Sequence, residues 1–153
     1  MTSLKLPEGL ESIGNYAFTS LGASKNGGLQ SLTLPESVTF LGTEAFRGSE
    51  IRSVTLCCSQ TNNAKNAFLG CSVETLTLED GSNLGSLMFE NCRHLKTIYS
   101  KCQTPPDLHY NNAFVFRNCS GIETIYVPAA SVDIYKAAEG WSQYAGKIKA
   151  IGQ

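Results

Sequence analysis

The sequence has little charge and no excess of either sign. Of its 153 residues, 12 are Lys or Arg and 13 are Asp or Glu, which gives a formal net charge of -1 at pH 7. A nearly neutral chain offers no electrostatic attraction to nucleic acid or to an anionic lipid surface. We therefore expect no nucleic-acid partner.

Long apolar runs are also missing. No stretch reaches the roughly 20 consecutive apolar residues that a membrane-spanning helix needs. The opening residues, MTSLKLP, do not place a basic segment before an apolar one, so we expect no signal peptide within this sequence. We therefore predict that this chain does not insert into a membrane.

Motifs of the common metal and cofactor sites are absent. The six cysteines include no C-x-x-C pair, and the sequence has no P-loop, Rossmann glycine pattern or H-E-x-x-H motif. The two histidines, His94 and His109, have no acidic residue at a shared offset. We predict no metal, no cofactor and no catalytic residues. An enzyme that pairs Cys92 with His94 stays a remote alternative, because side chains two residues apart beside a turn seldom converge on one cavity.

What the sequence does have is a repeated unit. The pattern apolar-x-x-apolar-x-apolar begins at Leu29, Ile51, Val73, Leu95 and Ile122, and the fourth copy is weaker because Ser100 takes its last apolar position. These starting points lie 22, 22, 22 and 27 residues apart, and a shortened copy occupies residues 4–6. Alternating apolar residues place one face of a short strand in a core, and a single strand cannot bury that face alone. Parallel strands from successive coils can bury it together.

Three further sequence features recur with the same period as this unit. A phenylalanine precedes each unit, at Phe18, Phe46, Phe68, Phe89 and Phe116. A cysteine follows it by three residues in the last three copies, at Cys71, Cys92 and Cys119, where Leu21 and Ser49 stand in the first two. An apolar residue and a glycine precede it in three copies, ending at Gly14, Gly42 and Gly85. We expect the glycine to make a tight bend and the phenylalanine to fill the coil interior opposite the strand, with Phe46, Phe68, Phe89 and Phe116 stacked as one interior column.

A period of about 22 residues falls within the range of leucine-rich repeats. We predict an α/β, strand-rich solenoid: a leucine-rich-repeat right-handed superhelix of about five to six coils with a parallel sheet, closed by a C-terminal helical cap. Residues 1–128 would form the solenoid and residues 129–153 the cap, as one structural domain. Residues 20–28 and 101–112 are predicted surface loops, and residues 59–66 an open turn.

The cap is predicted from the break in the repeat after Pro128. Ser131 begins a predicted helix over about 131–139, which ends at Gly140, and a last strand is expected over 148–151. The apolar side of this helix is predicted to consist of Ile134, Tyr135, Ala138 and Trp141. A solenoid needs such a lid, because its final coil would otherwise expose core residues to water.

Residues 32–46 (LTLPESVTFLGTEAF) and 89–95 (FENCRHL) resemble the BspA-like leucine-rich repeats of bacterial surface proteins. Residues 104–106 (TPP), 126–128 (YVP) and 131–141 (SVDIYKAAEGW) are similar to the terminal coil and cap of that family. The resemblance implies an extracellular or cell-surface bacterial protein that takes part in adhesion to host matrix or to other cells.

The once-per-coil cysteines are predicted to be small, reduced fillers of the interior. Stacked strands lie about 4.8 Å apart, close enough for a disulfide between coils, so the oxidation state of Cys57, Cys58, Cys71, Cys92, Cys102 and Cys119 stays open. Adjacent residues point to opposite faces of a strand, so only one of Cys57 and Cys58 is expected to face the core.

Outward positions of the predicted strands form two ladders. The first holds Ser31, Ser53, Thr75, Thr97 and Thr124, and the second holds Thr33, Thr55, Thr77, Tyr99 and Tyr126. Hydroxyl side chains can simply keep a strand soluble, but exposed tyrosines are enriched at interfaces. The candidate ligand-binding face is Thr75, Thr77, Thr97, Tyr99, Thr124 and Tyr126.

Beside these ladders, charge alternates in sign at Arg52, Glu74, Lys96 and Glu123, which favours stacking in register. We interpret the chain as a non-enzymatic recognition or adhesion module of a bacterial cell-surface or secreted protein, with a protein or a glycan as its partner. The alternative is a structural spacer that holds another domain away from the cell surface. The pattern leaves the identity of the ligand and the oligomeric state open.

Overall fold

The computed structural model of the protein describes residues 3–20, 29–57, 64–110 and 113–152. Most of the predicted loop at 20–28 and of the predicted open turn at 59–66 lies outside these residues, as do Leu21 and Cys58. The regular elements of the described part are short strands, one α-helix and two 3₁₀ helices, joined by turns and irregular segments.

The strands follow one another in a regular series. They are β1 (Ser3–Leu4), β2 (Ser12–Ile13), β3 (Ser31–Leu34), β4 (Phe40–Leu41), β5 (Ser53–Leu56), β6 (Thr75–Leu78), β7 (Thr97–Ser100), β8 (His109–Tyr110), β9 (Ala113–Phe114), β10 (Thr124–Val127) and β11 (Ile148–Ala150). Seven of them form one sheet in the order β1-β3-β5-β6-β7-β10-β11 with every pair parallel. Because the spatial order follows the chain order, each coil stacks on the one before it. The predicted strand-rich solenoid is therefore confirmed.

The interior of the stack is built from the inward positions of these strands. Leu32, Val54, Leu76, Ile98 and Ile125 are register partners along the sheet, and all are buried. Each of these strands buries one face and leaves the other partly or fully exposed, which matches the period-two pattern of the sequence. A one-residue slip would turn this apolar row out to solvent, so the pattern fixes the register.

The predicted phenylalanine column is also confirmed, and Phe18 extends it by one coil. Consecutive ring centroids lie 5.1, 5.1, 5.0 and 6.0 Å apart from Phe18 to Phe116. Backbone hydrogen bonds accompany the rings: the N–H of Phe46 donates to the carbonyl of Ala67, and the N–H of Phe68 donates to that of Met88. The coils are therefore bonded to each other on the side opposite the sheet as well.

Tight turns begin at Gly14, Gly42 and Gly85, as predicted, because the carbonyl of each accepts a hydrogen bond from the N–H three residues later, at 3.4, 3.3 and 3.2 Å. None of these three glycines has a left-handed backbone. The left-handed residues instead flank each phenylalanine at two positions before or two positions after it: Tyr16, Ser20, Glu44, Gly48, Asn66, Gly70, Leu87, Asn91 and Asn118. Gly42 has a second role, because a Cβ atom there would lie 2.4 Å from the backbone nitrogen of Asn15. It allows two coils to approach closely.

The repeated cysteines are buried, as predicted, and each thiol also makes a hydrogen bond. The Sγ atoms of Cys71, Cys92 and Cys119 donate to the carbonyls of Phe46, Phe68 and Phe89, at 2.9, 3.1 and 3.0 Å. Ser49 makes the same bond to Phe18 at 3.0 Å. Among the described cysteines none is paired in a disulfide.

The C-terminal segment closes the end of the stack. It contains a 3₁₀ turn (Ala129–Ser131), helix α1 (Val132–Ala137), a second 3₁₀ turn (Ser142–Lys147) and β11. The rings of Tyr135 and Trp141 are fully buried and meet edge to face with centroids 5.0 Å apart. The centroid of Trp141 lies 6.1 Å from that of Phe116, so the indole ring covers the end of the phenylalanine column.

Three details of the cap differ from the sequence prediction. Helix α1 is shorter than 131–139, and Ile134 is 54% exposed rather than part of its apolar side. Ser131 precedes the helix without a side-chain capping bond, and its Oγ donates instead to the carbonyl of Gln103 at 2.8 Å. This serine therefore ties the cap to the preceding coil.

The segment 101–112 is not simply the surface loop that was predicted. Cys102, Pro106 and Leu108 are buried, and the indole nitrogen of Trp141 donates to the carbonyl of Pro106 at 2.7 Å. Strands β8 and β9 then pair antiparallel. The additional residues of this coil form the surface on which the cap packs.

Candidate binding face

The outward side chains of five adjacent strands form a continuous surface, which we call the outer face. It consists of Ser31, Thr33, Ser53, Thr55, Thr75, Thr77, Thr97, Tyr99, Thr124 and Tyr126. Register pairing aligns these residues in two rows, one of which begins at Ser31 and the other at Thr33. The two ladders expected from the sequence therefore exist as geometric rows.

The six candidate residues occupy neighbouring places on this face. Thr75 and Thr77 stand on β6, Thr97 and Tyr99 on β7, and Thr124 and Tyr126 on β10. Thr75 pairs with Thr97 and Thr77 with Tyr99, and the next strand continues both rows. The fold thus brings all six side chains to one patch.

Tyr99 and Tyr126 are the largest side chains of the patch. Their rings are nearly parallel, with an interplanar angle of 12° and a centroid distance of 4.9 Å. This distance matches the strand spacing of about 4.8 Å, so the sheet itself holds the rings in the stack. Tyr99 is 38% exposed and Tyr126 is half-buried. The register partner of Tyr126 on the far side is Lys149 of β11.

Opposite charges are paired at both ends of the strands that carry the patch. Arg52 and Glu74, which precede β5 and β6, form an ion pair, as their alternating signs suggested. Lys101 and Glu79, which follow β7 and β6, form another at 2.7 Å. The second pair was not predicted, although opposite charges 22 residues apart were a visible signal. Such exposed pairs stabilise the stack by at most about 1 kcal/mol each and leave the patch without a dominant charge.

Glu90 is a buried carboxylate, and its hydrogen bonds compensate for the loss of contact with water. Its Oε2 accepts from the side-chain nitrogen of Asn66 at 2.8 Å, and its Oε1 accepts from Nε of Arg117 at 2.8 Å. These partners belong to the coils before and after it. The carboxylate therefore links three coils, and its role is structural.

The thiols are placed for burial rather than for reaction. Burial raises the pKa of Cys71 and of Cys119 to about 12, and burial also raises the pKa of Cys92. A thiol in this state is a poor nucleophile, because the thiolate is the reactive form. Cys92 is buried and His94 is exposed, so the pair considered for catalysis does not meet in one cavity.

The described ranges contain neither a metal-binding cluster nor a membrane-spanning helix. There, no group of three or more His, Cys, Asp or Glu side chains is arranged to hold a metal ion. In the same ranges no helix has the length and apolar character required to cross a membrane. The side chain of His109 lies outside the described part of the chain.

Comparison with known proteins gives a family rather than a close relative. No curated protein matches the sequence. The model of the BspA type leucine rich repeat region matches residues 1–26 and 23–138 with six copies. These residues hold the phenylalanine column and the strands of the outer face. The chain therefore belongs to the BspA type leucine-rich repeat family.

Proposed function

We propose that this chain is a non-enzymatic recognition module of a bacterial cell-surface or secreted protein, and that it binds a protein or a glycan through the outer face. The observation that carries the proposal is the Tyr99–Tyr126 stack, which stands exposed on a sheet whose other outward side chains from β3 to β10 are Ser and Thr. Family membership supports a repeat module, and the binding role is our inference from the patch.

The chemistry of the patch suits recognition. A tyrosine offers a large apolar area together with a hydroxyl, and it loses little conformational entropy when it is fixed. Here the stack fixes both rings before any ligand arrives, which lowers the cost of binding. The surrounding threonines can both donate and accept hydrogen bonds. The patch is therefore a preorganised surface of mixed polarity.

The state of the repeated cysteines is compatible with an extracellular location. Unpaired thiols in an oxidising environment are at risk of oxidation when they are accessible and ionised. Cys71, Cys92 and Cys119 are buried, protonated at neutral pH and bonded to phenylalanine carbonyls. Such thiols are protected, so the solenoid is suited to the cell exterior without disulfides among these three residues.

Binding assays with a double variant test the proposal. Tyr99→Thr together with Tyr126→Thr continues the hydroxyl row of the earlier coils and removes both rings. The chain and this variant should be compared on purified extracellular-matrix proteins and on a glycan array. Loss of roughly tenfold or more in affinity is expected, because aromatic anchors are typical interface hot spots.

The matched control is Tyr16→Asn. Tyr16 is 56% exposed but lies outside the outer face, and its left-handed backbone accepts Asn. This variant should bind like the parent. If both variants bind equally well, the outer face is not the recognition surface. If the parent binds nothing on either panel, the structural spacer is the better interpretation.

A further inference from the structure

One row of the outer face changes height abruptly between β6 and β7. Thr77 and Tyr99 are register partners, so a short side chain stands directly beside a phenol ring. Tyr126 stacks on one face of the Tyr99 ring. Thr77 is too short to cover the other face, which stays open towards β6. We call this feature the Tyr99 step: its wall is the ring of Tyr99, and its floor is Thr55, Thr75 and Thr77.

The wall of the step is supported from behind. The Tyr126 ring lies nearly parallel to the Tyr99 ring at 4.9 Å, and the next residue in that row is Lys149, which has a long side chain. On the open side the row continues with the short side chains of Thr77 and Thr55, which are register partners. The two sides of the Tyr99 ring therefore differ, and only the side towards β6 offers space to a ligand.

Four of the charges around the step are paired with each other, and Lys96 and Glu123, which precede β7 and β10, add one charge of each sign. At one end of the strands Arg52 pairs with Glu74, and at the other end Lys101 pairs with Glu79. The floor and the wall themselves carry only hydroxyl groups and an aromatic ring. A charged ligand would have to compete with these ion pairs, whereas a neutral ligand would not.

We propose that the Tyr99 step binds one sugar unit of a neutral glycan. A pyranose ring has a face of C–H bonds that can pack on the open face of Tyr99, and hydroxyl groups at its edge that can bond with the threonine hydroxyls of the floor. The same step gives an extended peptide no free backbone edge to pair with, because β6 and β7 are interior strands of the sheet. This inference rests on the proposed recognition function and names its ligand class.

Substitutions on one row of the sheet test the proposal. Thr77→Leu would place a branched side chain against the open face of Tyr99 and fill the step. Thr33→Leu makes the identical change in the same row, two coils away, and serves as its control. Tyr99→Phe keeps the wall, and Tyr99→Ser removes it.

The probes are an array of neutral hexose oligosaccharides with their sialylated and sulfated counterparts, followed by calorimetry on the strongest neutral binder. Thr77→Leu and Tyr99→Ser should each weaken binding about tenfold or more, and Thr33→Leu and Tyr99→Phe by less than about threefold. The dissociation constant should stay nearly constant between about 50 and about 500 mM salt, because no net charge is neutralised.

Three results would overturn the proposal: a preference for the acidic glycans, a strong salt dependence, or binding that survives Thr77→Leu. If only a protein binds, and the Tyr99→Thr/Tyr126→Thr variant loses it, the recognition function stands and the sugar assignment is wrong. If neither glycans nor proteins bind the parent chain, both proposals fail.

Discussion

The two faces of the same sheet follow different rules. The inner face repeats almost without variation, with leucine, isoleucine or valine on each strand and a phenylalanine opposite. The outer face has only serine and threonine through three coils, and one of its two rows then changes to tyrosine on β7 and β10. Interior packing penalises any change of volume, whereas an exposed position tolerates most residues that suit a strand. A departure from the repeat is therefore more informative about function on the outer face than on the inner face.

Ser100 is an instructive exception on the inner face. It occupies a position at which the other strands place Leu or Val, and it is fully buried. Its Oγ lies 2.6 Å from the hydroxyl of Tyr135, which in turn donates to the carbonyl of Cys102 at 3.0 Å. The interior accepts a polar residue here because the cap supplies its partner.

The largest effect is expected for the centre of the inner face. Phe68→Ala should lower the free energy of unfolding by about 3–5 kcal/mol, because it opens a cavity between two stacked rings. Phe18→Ala is the control, since Phe18 is half-buried and stacks on one ring of the column only, and it should cost clearly less. Denaturant unfolding of both variants measures the difference, and equal losses would mean that the column is not the core.

The bond between the cap and the inner face gives a smaller effect. Tyr135→Phe should cost about 1–3 kcal/mol, because it leaves the buried Ser100 hydroxyl and the Cys102 carbonyl without this partner. Adding Ser100→Ala should recover part of that loss, because the Ser100 hydroxyl is then no longer buried without its partner. If the double variant is less stable than the sum of the two single changes predicts, the hydrogen bond is not the cause.

The buried thiols make stability depend on alkaline pH. The native pKa of Cys71 and of Cys119 is about 12, against 9.0 for an unperturbed thiol. Between these values the unfolded thiols lose their protons and the native thiols keep them, so the unfolding free energy falls as pH rises from about 9 to about 12. Below pH 9 this dependence is absent. Chemical denaturation at pH 7, 9 and 10.5 measures the unfolding free energy at each pH. The Cys71→Ser/Cys119→Ser variant is the control, and its unfolding free energy should depend less on pH.

The bends beside the phenylalanines give the smallest effect on the interior. Asn91 has a left-handed backbone (φ 61°), which an ordinary L-residue adopts at a cost of about 1–2 kcal/mol. Asn91→Ala should therefore destabilise the chain by about 1 kcal/mol, and Asn91→Gly should be nearly neutral. Thermal unfolding compares the two variants. Equal melting temperatures would mean that the bend relaxes on substitution.

The inner face was predictable from the sequence because packing imposes a strict period. The spacing of Leu32, Val54 and Leu76 predicted both the strands and their register, and the phenylalanines predicted the column. The left-handed positions were missed, although Gly or Asn stands two residues after four of the five phenylalanines. The bonds of Ser131 and Tyr135 to the preceding coil were not predictable, because they join residues 28 to 35 positions apart that share no periodic pattern. For the outer face, the sequence predicted the two ladders, but the stacking of Tyr99 on Tyr126 required coordinates.

The central claim is that the inner face supplies stability and the outer face supplies recognition. The Tyr99→Thr/Tyr126→Thr variant tests it most directly when its unfolding free energy is measured beside that of Phe68→Ala. We predict a loss of at most about 1.5 kcal/mol for the two tyrosines together, the value of an exposed aromatic pair, against about 3–5 kcal/mol for the single phenylalanine. If the tyrosine pair costs as much as Phe68, these rings belong to the core, and the division between the two faces is wrong.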